Sequence, residues 1–205
     1  TLIGVLVGTF AILASLSVLN GFRAVIIQRT QNIEPSMKIR VNHLDTAVQD
    51  SLLAALADDP RTTLIHPVLE RKLVLSHTET QQIAMVKGVQ PAEYARASHI
   101  SDYCFHHQFL TDSIENTPMP EIVIGIGIAN HLGVTINDTL SVTSPLDIEN
   151  YYTPNLKCRV ADIFQVDIFD YDGSLAFLHL ADMQYILDEP GYHNLEITTP
   201  GRAAK

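Results

Sequence analysis

The sequence lacks the motifs by which self-contained enzymes are commonly recognised. It contains no G-x-x-x-x-G-K-[ST] phosphate loop, no H-E-x-x-H motif and no G-x-S-x-G motif. It has only two cysteines, Cys104 and Cys158, which belong to no ligand motif. We therefore expect no catalytic residue, no cofactor and no metal site. The two cysteines leave two alternatives open, a disulfide or a pair of buried free thiols.

Basic side chains are also scarce. Thirteen Lys and Arg stand against 23 Asp and Glu in 205 residues, which gives a formal net charge of −10. Nucleic acids and anionic lipid surfaces are bound through Lys and Arg, so neither is expected as the main partner. A content of 46% apolar residues excludes a disordered chain. There is no initiator Met, and residue 1 already lies in an apolar run, so we expect a fragment of a longer protein.

The first 22 residues carry no charge, and the first charged side chain is Arg23. As a helix they would span about 33 Å, which is enough for a hydrocarbon core of about 30 Å. Small residues recur along one face of this helix, which favours packing against another membrane helix. We predict a transmembrane helix over residues 1–24. A cleaved signal peptide and a buried soluble helix are the alternatives.

Helix-like and strand-like patterns interleave over residues 25–205, which indicates a mixed α+β or α/β domain. Residues 75–120 are interpreted as an inserted subdomain, and the C-terminal end as truncated. Asp45 is expected to cap a helix, and Gly133 to end one. Helices are predicted at 23–33, 46–57, after Pro91, at 126–132 and at 180–187. Strands are predicted at 37–41, 63–76, 81–89, 122–124, 140–143, 158–164, 175–178 and 195–198.

Three blocks of sequence, taken in order, resemble one protein family. They are Ser17-Val18-Leu19-Asn20-Gly21-Phe22, then Ile124-Gly125 through Leu140-Ser141-Val142, then Val160-Ala161-Asp162-Ile163-Phe164 with Phe169 to Phe177. Together they resemble the permease subunit of lipoprotein-releasing ABC transporters (LolC/LolE type), which is related to the MacB and FtsX permeases. The sequence departs from the family pattern at Asn137, where a Gly is usual, and at Val166 or Asp167.

The resemblance implies a MacB-like periplasmic core domain of two subdomains, preceded by one transmembrane helix in the bacterial inner membrane. It implies a homologous permease subunit, a separate ABC ATPase subunit, a lipoprotein cargo and a periplasmic lipoprotein chaperone as partners, with membrane lipid around the helix. The chain itself would hydrolyse nothing. A MacB-like or FtsX-like permease with another cargo, or a membrane-anchored adaptor, is the alternative.

The resemblance also implies three groups of candidate site residues. The lipid or lipoprotein cavity would be lined by Ser15, Val18 and Leu19. The membrane-exit motif would be Asn20, Gly21 and Phe22. The chaperone or partner contact would be made by Ile148, Tyr151, Tyr152 and Pro154. Ordinary helix packing, a simple helix break and a loop folded back on the domain are the respective alternatives.

Three further patterns are interpreted without a function. Residues 125–130 lack the third Gly of a dinucleotide-binding loop. The histidines at 99, 106 and 107 fit no common metal spacing and are expected at the surface. The acidic residues at 167, 170 and 172 are expected in a solvated turn, because calcium would need more oxygen ligands.

Overall fold

A computed structural model describes residues 2–31, 35–59, 64–111, 119–145 and 155–198. The described residues form six α-helices and eight strands, which confirms a mixed α+β domain after one apolar helix. The helices are α1 (Leu2–Gln31), α2 (Thr46–Ala57), α3 (Pro91–Ser98), α4 (Ile126–Leu132), α5 (Phe169–Ser174) and α6 (Leu180–Leu187). The strands are β1 (Met37–Arg40), β2 (Leu64–His77), β3 (Thr80–Val89), β4 (Glu121–Gly125), β5 (Thr139–Thr143), β6 (Asn155–Phe164), β7 (Leu175–His179) and β8 (Asn194–Thr198).

Helix α1 contains 30 residues, which corresponds to a length of about 45 Å. Its segment Leu2–Arg23 is long and apolar enough to cross a membrane, and none of that segment is buried in the chain. Within this chain the segment therefore does not pack as the core helix of a soluble domain. Length and composition do not separate a membrane span from a signal sequence.

Six strands close into a ring in the order β2-β3-β7-β4-β6-β5, because β5 pairs back onto β2. The β3–β7 and β4–β6 pairs are parallel, and the other four are antiparallel. Core residues alternate along the hairpin strands, as Leu73 and Leu75 do on β2 and Ala84 and Val86 on β3, whereas β4 and β7 are buried on both faces. The core inside the ring includes Leu73, Val86, Ile124, Val142, Val160 and Leu178, together with residues of α4 and α6. We call this unit the barrel.

A second, three-stranded sheet shares β2 with the barrel. Strand β8 lies between β1 and the first five residues of β2, Leu64–Val68, and all pairs are antiparallel. One face of this sheet is apolar and is covered by α2, through the leucines at 52, 53 and 56. Val48 of α2 is 48% exposed although it is apolar, whereas the neighbouring Gln49 is buried.

Gln49 is buried because its amide is fully used. The Gln49 Nε2 donates to the carbonyl oxygens of Val41 and Leu44, and the Gln49 Oε1 accepts from the backbone N–H of Tyr192. Asp45 lies at the helix N-cap as predicted but makes no side-chain cap hydrogen bond. The pattern of apolar residues therefore found the helix but not the polar side chain that it buries.

The outer side of the barrel carries an aromatic layer beneath α3 and the short 3-10 helix Ile100–Tyr103. Cys104 is buried in this layer, whereas Cys158 is buried in the barrel interior. Both thiols are free, so the disulfide alternative is wrong. Burial raises the pKa of the Cys104 thiol to about 12 and raises the pKa of Cys158 as well. Both are therefore inert structural thiols at neutral pH.

Local turn signals were predicted well, with one error. Gly133 ends α4 in the left-handed conformation, as predicted, and the two strands predicted at 63–76 and 81–89 pair as a hairpin. Asn137, where the family usually has Gly, adopts a positive φ. The expected acidic turn is instead the short helix α5. Within it Asp172 is buried, because its carboxylate accepts the backbone N–H of Val166 at 2.8 Å. Burial also raises the pKa of Asp172.

Candidate functional site

The predicted cavity residues lie together on one side of α1. Ser15, Val18, Leu19 and Phe22 recur at helical spacing and, with Ala14, border a shallow, mostly apolar depression on the helix surface. Their side chains are exposed in the chain, Val18 by 74%. A cluster of apolar side chains this exposed needs lipid or another helix as a neighbour. The structure thus brings the three predicted residues together, while their role as a lipid cavity stays a prediction.

The predicted membrane-exit motif, Asn20 to Phe22, lies inside the continuous helix α1. A Cβ atom built on Gly21 would meet no atom within 4 Å. The motif therefore makes no turn, as expected of a helix that continues past the membrane. A packing role for Gly21 would need a neighbour from another helix, and it stays a prediction.

The predicted chaperone contact falls in a connection between two paired strands. Ile148, Tyr151, Tyr152 and Pro154 lie outside the described residues. The strands that carry them are described: β5 ends at Thr143 and β6 begins at Asn155, and these two residues are antiparallel partners. The segment therefore joins the two ends of a β-hairpin, and its contact with a partner stays a prediction.

The second sequence block that carries the resemblance has a packing role. A Cβ atom on Gly125 would lie 2.3 Å from the Asp172 carbonyl oxygen, and one on Gly127 would lie 2.8 Å from the same atom. Both positions therefore need glycine because the backbone of α5 passes directly over the start of α4. This contact explains the two glycines that superficially resemble a dinucleotide-binding loop.

The third block also has a packing role, which depends on Asp162. The Asp162 Oδ2 accepts the backbone N–H groups of His106 and Gln108 at 3.0 and 3.2 Å, and its Oδ1 accepts that of Ile163 at 2.8 Å. The register of β4 against β6 shifts just before this residue, which marks a β-bulge at Ala161. Asp162 thus fixes the segment after the 3-10 helix to the barrel wall.

Glu121 holds the same segment at its far end. The Glu121 Oε2 accepts both the backbone N–H and the hydroxyl of Thr111, at 2.9 and 2.8 Å. Its other oxygen accepts from the Arg159 guanidinium. Two buried carboxylates therefore clamp residues 104–111 to β4 and β6. The histidines in this segment, His106 and His107, are exposed as predicted, and the described residues contain no cluster of metal-ligating side chains.

Sequence reasoning missed a buried charge cluster on the polar face of the three-stranded sheet. Glu196 of β8 is 1% exposed, and its carboxylate lies 3.4 Å from the Lys87 Nζ and 3.6 Å from the His66 Nε2. At the rim, the Lys38 Nζ lies 2.6 Å from Glu70 and 3.8 Å from Glu196. These five residues, called the charge cluster below, come from β1, β2, β3 and β8. Their only signal in the sequence is charged residues inside strand-like segments.

The charge cluster predicts a pH effect on stability. Burial alone would raise the pKa of Glu196, but the contact with His66 and the charges of Lys87 and Lys38 outweigh it and lower the pKa below 4.5. Because the folded-state pKa is lowered, this carboxylate stabilises the fold above pH about 4.5, and the contribution is lost as the pH falls through the folded-state value. We expect Glu196→Gln to lower the free energy of unfolding by about 2 kcal/mol at pH 7. Urea unfolding at falling pH should show wild type and variant converge below pH about 4.5, and a constant difference would contradict the assignment.

Known proteins are similar to this sequence over most of its length, at low identity. The chain is 25% identical over 196 residues to "Lipoprotein-releasing system transmembrane protein LolC" of Neisseria meningitidis, covering 91% of this chain and 45% of that protein. It is 24% identical to the protein of the same name from Xylella fastidiosa, covering 93% and 46%. It is 25% identical to "Lipoprotein-releasing system transmembrane protein LolE" of Haemophilus influenzae, covering 90% and 45%. The chain thus spans about half the length of these curated relatives.

Solved structures share the fold. The extracellular domain of the ABC-type transporter YknZ from Gram-positive bacteria superposes with a TM-score of 0.52 at 10% identity, covering 83% of this chain and 82% of that one. The periplasmic region of MacB from Actinobacillus actinomycetemcomitans gives 0.50 at 8% identity, covering 75% and 65%. Residues 1–204 match the family described as MacB-like periplasmic core domain, and the chain belongs to that family.

Proposed function

We propose that the chain is the first transmembrane helix and most of the periplasmic domain of a permease subunit in an ABC transporter of the MacB/FtsX superfamily. More specifically, we propose that this transporter releases lipoproteins from the bacterial inner membrane. The main support is the direct connection of a fully exposed apolar helix to a MacB-like head. The names of the LolC and LolE relatives support the choice of cargo.

In this proposal the chain does mechanical work and catalyses nothing. A separate ABC ATPase subunit supplies the energy, and a homologous permease subunit completes the membrane part. Ser15, Val18 and Leu19 line the path of the acyl chains, because such chains need an apolar, water-free surface without fixed polar partners. Residues 1–24 lie in the membrane and residues 25–205 in the periplasm, where a lipoprotein chaperone receives the cargo.

The proposal is tested by lipoprotein release from proteoliposomes that contain the full transporter. We expect Val18→Asp to reduce release to the chaperone at least tenfold, because a carboxylate there puts a charge into the path of the acyl chains. Leu16→Asp is the matched control, because Leu16 lies at nearly the same depth of the span but on another side of the helix. An equal loss in both variants would indicate a general insertion defect and would contradict the cavity assignment.

The chaperone contact is tested separately by pull-down. Alanine at Tyr151, Tyr152 and Pro154 together should abolish capture of the chaperone, since aromatic anchors and a rigid proline dominate such contacts. Capture that survives these substitutions would contradict the loop assignment. A wild-type transporter that assembles with its ATPase yet releases no lipoprotein would instead favour a MacB-like or FtsX-like permease with another cargo or a mechanical role.

A further inference from the structure

Strand β1, the first strand after the membrane helix, is connected to the barrel sheet through β8. Helix α1 ends at Gln31, and β1 begins at Met37. Among the described residues, β1 pairs with β8 alone, and β8 joins β2 through five residue pairs. Through strand pairing, a displacement of α1 that is passed on to β1 would therefore reach the barrel across the boundary between β8 and β2, while α2, which follows β1, packs on the apolar face of the same sheet.

The charge cluster spans this boundary. Lys38 and Glu196 lie on β1 and β8, whereas Glu70, His66 and Lys87 lie on the barrel strands β2 and β3. Two ion pairs cross the boundary, Lys38–Glu70 at 2.6 Å and Lys87–Glu196 at 3.4 Å. The Tyr94 ring of α3 covers the buried end, with its edge toward the His66 ring at 5.2 Å.

The same four charges can also pair without crossing the boundary. Lys38 and Glu196 are cross-strand partners on β1 and β8, and their charged atoms already lie 3.8 Å apart. Glu70 and Lys87 are cross-strand partners on β2 and β3. A small shift of β1 and β8 along β2 can therefore exchange two pairs for two others, and no buried charge loses its partner. Apolar packing alone would not explain these charges, because the opposite face of the same sheet is held by leucines.

We propose that the charge cluster is a two-position joint, at which β1 and β8 shift against the barrel by exchanging ion-pair partners. Packed elements with two discrete arrangements are the usual means by which a small displacement is transmitted. His66 lies on β2 beside this boundary, and its Nε2 faces the Glu196 carboxylate at 3.6 Å. The joint's place in the transport cycle rests on the proposed function, whereas the joint itself is a property of the chain.

The joint is tested first by amide hydrogen exchange on the whole chain in detergent micelles. We expect Glu196→Gln to accelerate exchange in β1 and β8 about tenfold or more, and Lys38→Met to accelerate it by a smaller factor. Exchange in β4 and β6 should stay unchanged in both variants. Glu121→Gln is the matched control, because it removes a buried carboxylate from an ion pair in the barrel, and it should leave β1 and β8 unchanged. Uniform acceleration, or none in β1 and β8, would overturn the proposal.

The second test cross-links β8 to β2 with a disulfide in the assembled transporter. Leu64 and Thr198 are cross-strand partners on β2 and β8. A Leu64→Cys/Thr198→Cys disulfide should reduce lipoprotein release about tenfold, reversibly with reductant, while Ser76→Cys/Ser141→Cys, which bridges two barrel strands, should have no effect. Full lipoprotein release from the cross-linked Leu64→Cys/Thr198→Cys variant would overturn the joint's role in transport. A wild type without release activity contradicts the proposed function instead, and the exchange result then still decides whether the joint exists.

Discussion

Replacing Gly125 by alanine is expected to destabilise the head by about 3 kcal/mol or more, which is a large part of the stability of a marginally stable domain. The added Cβ atom would lie 2.3 Å from the carbonyl oxygen and 2.8 Å from the carbonyl carbon of Asp172. These are backbone atoms of a helix that is itself packed against α4, so no flexible side chain can turn aside. The clash can be relieved only if α4 and α5 separate, and their separation would open the barrel core. Urea unfolding followed by circular dichroism measures the loss.

Gly173→Ala is the control for this prediction. Gly173 lies one residue beyond Asp172 in α5, and a Cβ atom there would meet no atom within 4 Å. Its alanine variant should be neutral or more stable by up to about 1 kcal/mol, because glycine is a poor helix former. If both variants unfolded alike, the close approach of the two helices would not be the reason for Gly125.

Local signals predicted most of the helices and strands. The two-residue turn between β2 and β3, the glycine that ends α4 and the alternation in β6 all act over a few residues, so a single sequence reveals them. The closure of the barrel could not be predicted, because the β2–β5 pairing joins residues 74–76 to residues 141–143. Helix α5 was missed for the same reason. Its short sequence is typical of a turn, and its packing on α4 decides its conformation.

The candidate sites also differ in whether neighbouring or distant residues form them. Helical spacing places Ser15, Val18 and Leu19 on one side of α1, so their proximity follows from the sequence, whereas their role in a cavity comes from the resemblance and stays a prediction. The charge cluster was not, because its members come from four strands between residues 38 and 196. The sequence blocks that suggested the family turned out to hold packing contacts at Gly125 and Asp162. Resemblance therefore pointed to the fold through residues whose structural reason only the three-dimensional contacts show.

The second large effect is expected for Asp162→Ala, which should lower the free energy of unfolding by about 4 kcal/mol. Three backbone N–H groups lose their acceptor: that of Ile163 is buried and those of His106 and Gln108 are partly buried, and a buried donor left unsatisfied costs about 1–3 kcal/mol. Asp162→Asn should cost roughly half as much, since its single amide oxygen can serve one side of the network while its NH₂ group faces an N–H donor. Amide exchange should show the loss locally, with the N–H groups of His106 and Gln108 exchanging faster than those of β6.

Asp170→Ala is the matched control, because Asp170 is an exposed carboxylate eight residues further along the chain. It should change the unfolding free energy by no more than about 0.5 kcal/mol. Equal effects at both positions would mean that negative charge in this region matters, and the hydrogen bonds of Asp162 do not. A loss confined to Asp162, with Asn intermediate, would show that this carboxylate holds the segment 104–111 to the barrel, beside Glu121 and the backbone bridge between Cys104 and Phe164. It would also give a physical reason for the Val160–Phe164 block. The bulge at Ala161 directly precedes Asp162, and the register shift there sets the Asp162 carboxylate against the segment 104–111.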